Sequence, residues 1–489
     1  MALQSSSHKE VPAQTHAIPH VTLPKAPDPN VDPAGYLRSI YSVRERSRIV
    51  MEKAQNDQLR HFNVDMTKFA DTAKYVVSII KRDFEPDYHK IPPHGRWQHF
   101  DVGGQPRVNE LIQSWPSSVD TQERTRRLID LFLVSVLLDA GAGARWQYKT
   151  QEDGRVFKRS EGLAVASLEM FKAGLFSSDH NQPFQVDSTA LKRLTPESVG
   201  KGLQVSAENP VDGLAGRTSL LVKLGESLLN KEVFGANSRP GNLLDYLLNH
   251  PSTHRGPVTV VTLPTLWDTL MHSLTAIWPA TRTQINGQAL GDAWPCESMP
   301  SVPSQPWQSI VPFHKLTQWL TYSLMVPMQK LANVHFAGVE LMTGLPEYRN
   351  GGLLVDTGLL TLKKADQQRG EEQYRSNATR EGQPNFEVVP LFTADDDVIV
   401  EWRAVTVGFL DKLLLEVNNL LGLSGNDKLN LAQMLEAGSW KVGLFSLHVP
   451  TVNKAGLTLV VQSGREIAEV SRPNTKEPPI MILSDGTVF

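Results

Sequence analysis

The stretch that most limits how this chain can fold runs from Thr121 to Leu138. It opens with charges and closes on Leu131-Phe132-Leu133-Val134-Ser135-Val136-Leu137-Leu138, apolar but for Ser135. A helix apolar on nearly every side is stable only at the centre of a structure, walled by other elements. Almost no alternating strand pattern appears before the C-terminal segment, and no repeat of 20–50 residues is present. The expectation is a mainly α fold, a single large multi-helix domain with few short strands. A chain of 489 residues is long enough to bury such a core.

Other segments follow this lead. Residues 1–32, rich in Pro, Ser and His, have no periodicity and read as a disordered tail. Asp32-Pro33 then gives an N-cap with proline at the first helical position, which begins a helical domain over 33–489. A second helix is expected through Phe69, Tyr75, Val76 and Ile79. The segment 279–309 is Pro-rich and irregular. From Pro312 another helix places Leu316, Leu320 and Leu324 on one face and His314, Gln318 and Tyr322 on a neighbouring polar one. That polar ladder needs company, from a ligand or from other side chains. Residues 363–394 read as a charged surface excursion, and Val398 to Leu421 as a long helix.

Charge and composition exclude several functions. Lys plus Arg is 49 and Asp plus Glu is 52, a net charge of −3, with basic residues scattered. That is no footprint for nucleic acid. One cysteine, Cys296, permits neither an intrachain disulfide nor a Cys-based zinc site, and no HExxH spacing occurs. No metal or organic cofactor is expected. The longest apolar run is far short of the ~20 residues of a membrane span, and the N-terminus lacks a signal-peptide core. A cytoplasmic, soluble protein without membrane contact is expected.

The polar chemistry gathers in a few places. Leu345-Pro346-Glu347-Tyr348-Arg349-Asn350-Gly351-Gly352 sets a carboxylate, a phenol and a guanidinium between a proline and paired glycines, with Asp356 shortly after. Such a turn suits a pocket for a polar small molecule, and equally a loop with a surface ion pair. Gly95-Arg96-Trp97-Gln98-His99-Phe100-Asp101 suits the wall of a polar site or a loop capping the core. The apolar helix delivers Asp139, followed by Gly141-Ala142-Gly143, which lacks the spacing of a phosphate loop. Arg159 and Glu161 lie before small residues that allow close packing. Glu401 and Arg403 lie among Val398, Ile399, Val400, Trp402 and Val405. A carboxylate in that company needs a partner, and either structural pairing or a tuned acid meets the need.

Taken together, these motifs resemble the uncharacterised-domain family that includes the fungal uracil-catabolism protein 4, over nearly the whole chain after the tail. The marks are Ser135-Val136-Leu137-Leu138-Asp139-Ala140-Gly141-Ala142-Gly143, Arg159-Ser160-Glu161-Gly162-Leu163-Ala164, Pro312-Phe313-His314-Lys315-Leu316, Leu345 to Gly352, Val400-Glu401-Trp402-Arg403-Ala404 and Ser484-Asp485-Gly486-Thr487-Val488-Phe489. A more distant likeness, an acid-Tyr-Arg followed by Glu-x-Arg-Ala, is to the queuosine-salvage N-glycosidases, which implies a helical core like that of DNA glycosylases. The resemblance implies a pathway that degrades uracil through ribosylurea to urea. The implied reaction is hydrolysis of the N-ribosidic bond of ribosylurea or its 5′-phosphate, with a ribosylated pyrimidine-derived small molecule as the partner. Such hydrolysis passes through a ribosyl cation that a carboxylate stabilises while a base activates water. By the resemblance Glu347 and Glu401 are the catalytic acids. Tyr348 and Arg349 would hold the ribose or its phosphate, and Asp356, Arg403, His314, Gln318, Asp139, Arg159 and Glu161 complete the polar contacts.

The chain departs from the family pattern once. Trp440-Lys441 is separated from Gly464-Arg465-Glu466-Ile467-Ala468 by Val442–Ser463, and removing that stretch leaves one helical pattern from Met434 to Val470. It reads as a foreign insertion. Two other functions compete with the hydrolase: an amidohydrolase attacking the urea carbonyl, and a non-catalytic binding or scaffold protein of the same pathway. Convergence of Glu347, Arg349 and Glu401 in one pocket favours catalysis, and dispersal favours scaffolding.

Overall fold

The computed structural model describes residues 17–483 except 140, 144, 280, 378–386 and 441–462. Helices dominate, as expected. Strands among the described residues are no longer than four residues and pair two by two. The parallel pair Thr259–Thr262 with Val334–Ala337 is representative. No helix among the described residues is long and apolar enough to cross a membrane.

At the centre stands the helix Thr121–Leu137. Asp120 caps it by accepting from the Glu123 amide at 2.7 Å. From Leu128 to Leu138 its residues are almost completely buried. It packs chiefly against the Lys315–Ala332 helix and also against Arg159–Lys172. The polar groups it carries inward are all matched. Asp130 accepts from Arg239 Nε at 2.6 Å and the Gly241 amide at 2.7 Å. Ser135 accepts from Arg96 Nε at 2.8 Å and pairs with Ser167 Oγ at 2.6 Å. Burial raises the Asp130 pKa to about 6 despite the Arg239 charge beside it.

A second layer is built on Asp397–Leu420, which packs on Ile40–Gln55, Phe69–Phe84 and Tyr348–Asp356. Asp396 caps it and is itself clamped by Arg369 at 2.5 and 3.0 Å. The helix expected after Asp32-Pro33 forms over Pro33–Arg38, with Asp32 accepting from the Gly35 amide at 2.8 Å, and restarts at Ile40.

Three expectations need adjustment. The tail expected over 1–32 is described from residue 17, and its later part is tied down: Tyr41 donates to the Pro24 carbonyl, and Leu23 lies over Gly338. Residues 363–394 are not an irregular excursion, because Lys364–Ser376 is a helix. Its only buried residues are Gly370 and Tyr374, too narrow an apolar stripe to give a periodic signal. Gly370 lets the helix close on Phe392 and Pro390, 2.6 Å from where a Cβ would stand. The Pro-rich stretch 279–309 holds short strands, of which Ala293–Pro295 pairs with Ile310–Pro312. The region of the expected insertion, and the terminal Ser484–Phe489 motif, lie outside the described residues apart from Ser463, which opens the Ser463–Ser471 helix.

Candidate active site

Glu347 is the N-cap of the helix Tyr348–Asp356. Its carboxylate accepts from the Arg349 amide at 2.9 Å and the Asn350 amide at 2.6 Å, while Asn350 Nδ2 closes the turn on the Leu345 carbonyl at 2.9 Å. Helix dipole and capping both favour a carboxylate there. Yet Glu347 is only 6% exposed, and burial raises its pKa above the usual carboxylate range against the pull of Arg349, Lys315 and these amides. The paired glycines do not form a sharp turn but lie inside the helix. A Cβ on Gly351 would stand 2.7 Å from the Trp402 ring, whose Nε1 donates to the Gly351 carbonyl at 3.2 Å. The close approach that the glycines permit is to protein.

The first turns of three helices, Arg159–Lys172, Lys315–Ala332 and Tyr348–Asp356, supply residues linked to one another here, together with Asp139, two residues beyond the central helix. Arg349, 3% exposed, places Nη1 3.9 Å from Glu161 Oε1. Burial alone would lower the Arg349 pKa, but Tyr348 beside it and the charges of Glu161 and Glu347 outweigh this and hold the guanidinium charged. Glu161 is 4% exposed and its Oε1 has no hydrogen-bond partner among the described residues. Asp139 accepts from Ser160 Oγ at 2.6 and 2.8 Å and from Trp319 Nε1 at 3.2 Å, and pairs with Arg96 Nη1 at 2.8 Å. Ser160 Oγ also lies 2.9 Å from His99 Nδ1. Burial, then the Arg96 charge, keeps His99 neutral, its pKa well below that of an ordinary imidazole.

Lys315 completes the group. It is the first residue of its helix, and Trp319, one turn on, touches Asp139. Burial lowers its pKa, with Glu347 the foremost carboxylate acting the other way and Arg403 adding to the fall. Its backbone amide donates to Asp292 Oδ2 at 3.0 Å.

Other expected site residues are placed elsewhere or engaged by the protein. Glu401, completely buried, accepts from the Arg60 amide at 2.9 Å, the His61 amide at 2.8 Å and the Ser298 hydroxyl. None of these groups is a hydrogen-bond partner of Glu347, so the two acids share no partner among the described residues. Arg403 is paired with Asp292 at 2.8 Å on both arms. Asp356 is clamped by Arg472 at 2.8 and 2.7 Å. His314 approaches the Leu37 carbonyl at 2.8 Å through Nε2. Gln318 donates to Thr343 Oγ1 at 2.6 Å, and Tyr322 to the Thr343 carbonyl at 3.0 Å. The polar company that the helix ladder needs is therefore protein, not ligand. Arg159 is half-buried with φ +53°, and Nη2 reaches the Lys476 carbonyl at 3.5 Å.

Glu347, Tyr348, Arg349, Glu161 and Asp139 are thus brought to one region, whereas Glu401, Asp356, His314 and Gln318 are held in their own contacts. Lys315, Ser160, Arg96, His99, Trp319 and Asp292 were not among the expected site residues. Arg96 and His99 fell in the aromatic-polar patch already noted, and Lys315 and Ser160 in the family motifs. Asp292 gave no signal. Among the described residues no group of three or more His, Cys, Asp or Glu side chains is placed to hold a metal ion.

The chain is 44% identical to "Uracil catabolism protein 4" of Lachancea kluyveri over 466 residues, which covers 94% of this chain and 99% of the relative. It is 42% identical to "Protein urg3" of Schizosaccharomyces pombe over 455 residues, 93% of this chain and 98% of that one. The family model described as "Protein of unknown function (DUF1688)" matches residues 36–445 and 446–489. The chain belongs to this family, and shares it over nearly its full length with a fungal protein named for uracil catabolism.

Proposed function

We propose that this protein acts in uracil catabolism as a hydrolase, cleaving the N-ribosidic bond of ribosylurea or its 5′-phosphate to release urea and the ribose or ribose phosphate. The observation that carries this reading is Glu347. It is a buried carboxylate with a raised pKa at a helix N-terminus, beside two cations, Lys315 and Arg349, and beside Glu161 with its open oxygen. A base of raised pKa suits proton removal from water near neutrality. The same carboxylate lies where positive charge develops on the sugar.

In this reading Glu347 takes the proton of the attacking water and faces C1′ of the ribose. Tyr348 and Arg349 hold the sugar or its phosphate, and Glu161 and Asp139 accept from ribose hydroxyls or ureido N–H groups. Glu401 positions the helix that carries Arg403 rather than meeting substrate. A helical core of the DNA-glycosylase kind belongs to the same proposal.

One observation favours a second reading, attack on the urea carbonyl. Ser160 Oγ lies within hydrogen-bond distance of both Asp139 and neutral His99, a nucleophile beside a base. Incubation of the protein with ribosylurea and with its 5′-phosphate separates the readings. Equal amounts of urea and reducing sugar, lost in Glu347→Gln, support the glycosidase. Ammonia, lost in Ser160→Ala, points to the amidohydrolase. Turnover of neither compound by folded protein points to a binding or scaffold role.

A further inference from the structure

We propose that Lys315 is the general acid of this site, the group that protonates urea as it leaves the sugar. The inference rests on the N-ribosidic reading above and adds the residue that the two expected acids do not supply.

Cleavage of an N-riboside places an electron pair on the departing nitrogen. Urea is a poor leaving group as an anion, so a proton must reach it as the bond breaks. Glu347 cannot both receive the proton of water and have one to give in the same step, and Glu401 is saturated by two amides and a hydroxyl. Tyr348 and Arg349 are assigned to the sugar or its phosphate, which leaves Lys315 as the donor. Among the described residues its ammonium has no hydrogen bond or ion pair, although Glu347, Asp139 and Asp292 are the carboxylates nearest in effect. Asp292, whose carboxylate accepts from the Lys315 amide, is already neutralised by Arg403. Lys315 is half-buried, and a cation that no protein group pairs is open to a ligand that completes its surroundings.

The mount is rigid. His314, at φ +47°, turns the chain into the helix, and Asp292 holds the Phe313, His314 and Lys315 amides, by its carbonyl for the first two and its carboxylate for the third. The side chain shares a helix face with Trp319, which touches Asp139, and the carboxylates of Glu347 and Asp139 both act on its charge. Burial also lowers the lysine pKa toward the range where an ammonium gives up its proton readily.

The step balances. The C1′–N bond breaks and its electron pair passes to the ureido nitrogen, which takes a proton from Nζ. Water adds to C1′ and gives its proton to Glu347. Transfer of that proton from Glu347 to Nζ, directly or through water, restores both groups, leaving ribose and urea.

The test compares ribosylurea with 4-nitrophenyl riboside, whose phenolate leaves without a proton, for wild type, Lys315→Met and Lys315→Arg. With ribosylurea both variants should lose about 100-fold or more in kcat. With the nitrophenyl riboside they should stay within a few-fold of wild type, and the alkaline fall in wild-type kcat with ribosylurea should be missing from its nitrophenyl profile. Equal losses on both substrates, or the same alkaline limb for both, overturn the assignment. So does retained activity on ribosylurea in Lys315→Met. If wild type cleaves the nitrophenyl riboside but not ribosylurea, the assigned reaction itself falls and takes this role with it. The nitrophenyl rate also reports folding, and the wild-type pH profiles need no variant at all.

Discussion

Arg403 and Asp292 form a two-armed ion pair, 2.8 Å along each arm, in which both partners are almost completely buried. The pair joins the two halves of the site. Asp292 holds the amide of Lys315 and the indole of Trp294 at 2.7 Å, while Arg403 Nε reaches the Pro346 carbonyl at 3.3 Å beside Glu347. Its guanidinium lies 4.1 Å over the Phe313 ring. The Arg403 charge holds the Asp292 pKa well below the usual range in spite of burial.

Removing one partner leaves a buried charge alone, which costs about 3–5 kcal/mol. Arg403→Met and Asp292→Asn should each lower the unfolding free energy by that amount, read from the fall in urea midpoint at unchanged m, and Arg403→Lys should recover little, since an ammonium cannot reproduce the planar two-armed contact. Equilibrium unfolding checks this. A lysine variant as stable as wild type would show that charge alone, not geometry, is required.

How much of this was legible in the sequence depends on where each partner lies. The central helix announced itself through an apolar run, and the long helix near the C-terminus through its valines and leucines. Glu401 needs a partner by its sequence surroundings, but two of its partners are the backbone amides of Arg60 and His61, which carry no side-chain signature, and the third is the hydroxyl of Ser298, 103 residues away. The His314, Gln318 and Tyr322 ladder was visible as a pattern. That it is satisfied by Leu37 and Thr343, not by ligand, is a property of tertiary contacts. Lys315 lies beside that ladder in the sequence, where only the absence of a partner for its ammonium in the fold distinguishes it.

Glu401 gives the next prediction. Glu401→Ala would leave two amides and a hydroxyl without their acceptor, a loss on the order of 2–4 kcal/mol. In the proposed division of roles, the folded fraction of this variant should keep kcat for ribosylurea within about tenfold of wild type, whereas Glu347→Gln should lose about 100-fold or more. Unfolding curves and active-fraction kinetics measured together separate the two acids. A kcat loss for Glu401→Ala as large as that of Glu347→Gln would return Glu401 to the chemistry.

His61 bridges Asp366 at 3.0 Å and Asp397 at 2.8 Å, fastening the loop that caps Glu401. Burial pulls its pKa down, but hydrogen bonds to the two carboxylates more than offset this and raise it to about 9. Because the folded pKa lies above the unfolded value of about 6.5, the stabilisation is fully present below pH 6.5 and fades as pH rises through 9. Its size is on the order of 2 kcal/mol. The stability difference between wild type and His61→Asn should therefore shrink between pH 6.5 and 9.5. A difference constant across that window would mean that the imidazole is not charged in the folded protein.

Gly351 tests the seam between the Glu347 helix and Trp402. With 2.7 Å from a modest Cβ to the indole, Gly351→Ala forces ring or helix to move, a cost of about 1–3 kcal/mol against a helix-propensity gain of ~1 kcal/mol. Net destabilisation is expected, with a fall in kcat as the shift reaches Glu347 four residues away. Thermal unfolding that shows a gain in stability would mean that the indole yields freely.

The final prediction concerns Val442–Ser463. The segments Leu435–Trp440 and Ser463–Ser471 pack on each other, and both lie against Phe69–Phe84 and Tyr348–Asp356. The two stretches thus share the same two neighbours. Arg472, just beyond the second, clamps Asp356 on the helix that begins with Glu347, so this region supports the site directly. A chain that must thread 22 further residues between those parts incurs loop-closure entropy that a continuous helix avoids. If the stretch is foreign to the fold, deleting 442–463 should raise the melting temperature and the yield of soluble protein, with ribosylurea turnover equal to or above that of the full chain. Equal stability and activity of the two chains would sink the idea of an insertion, and loss of both on deletion would make the stretch part of the fold.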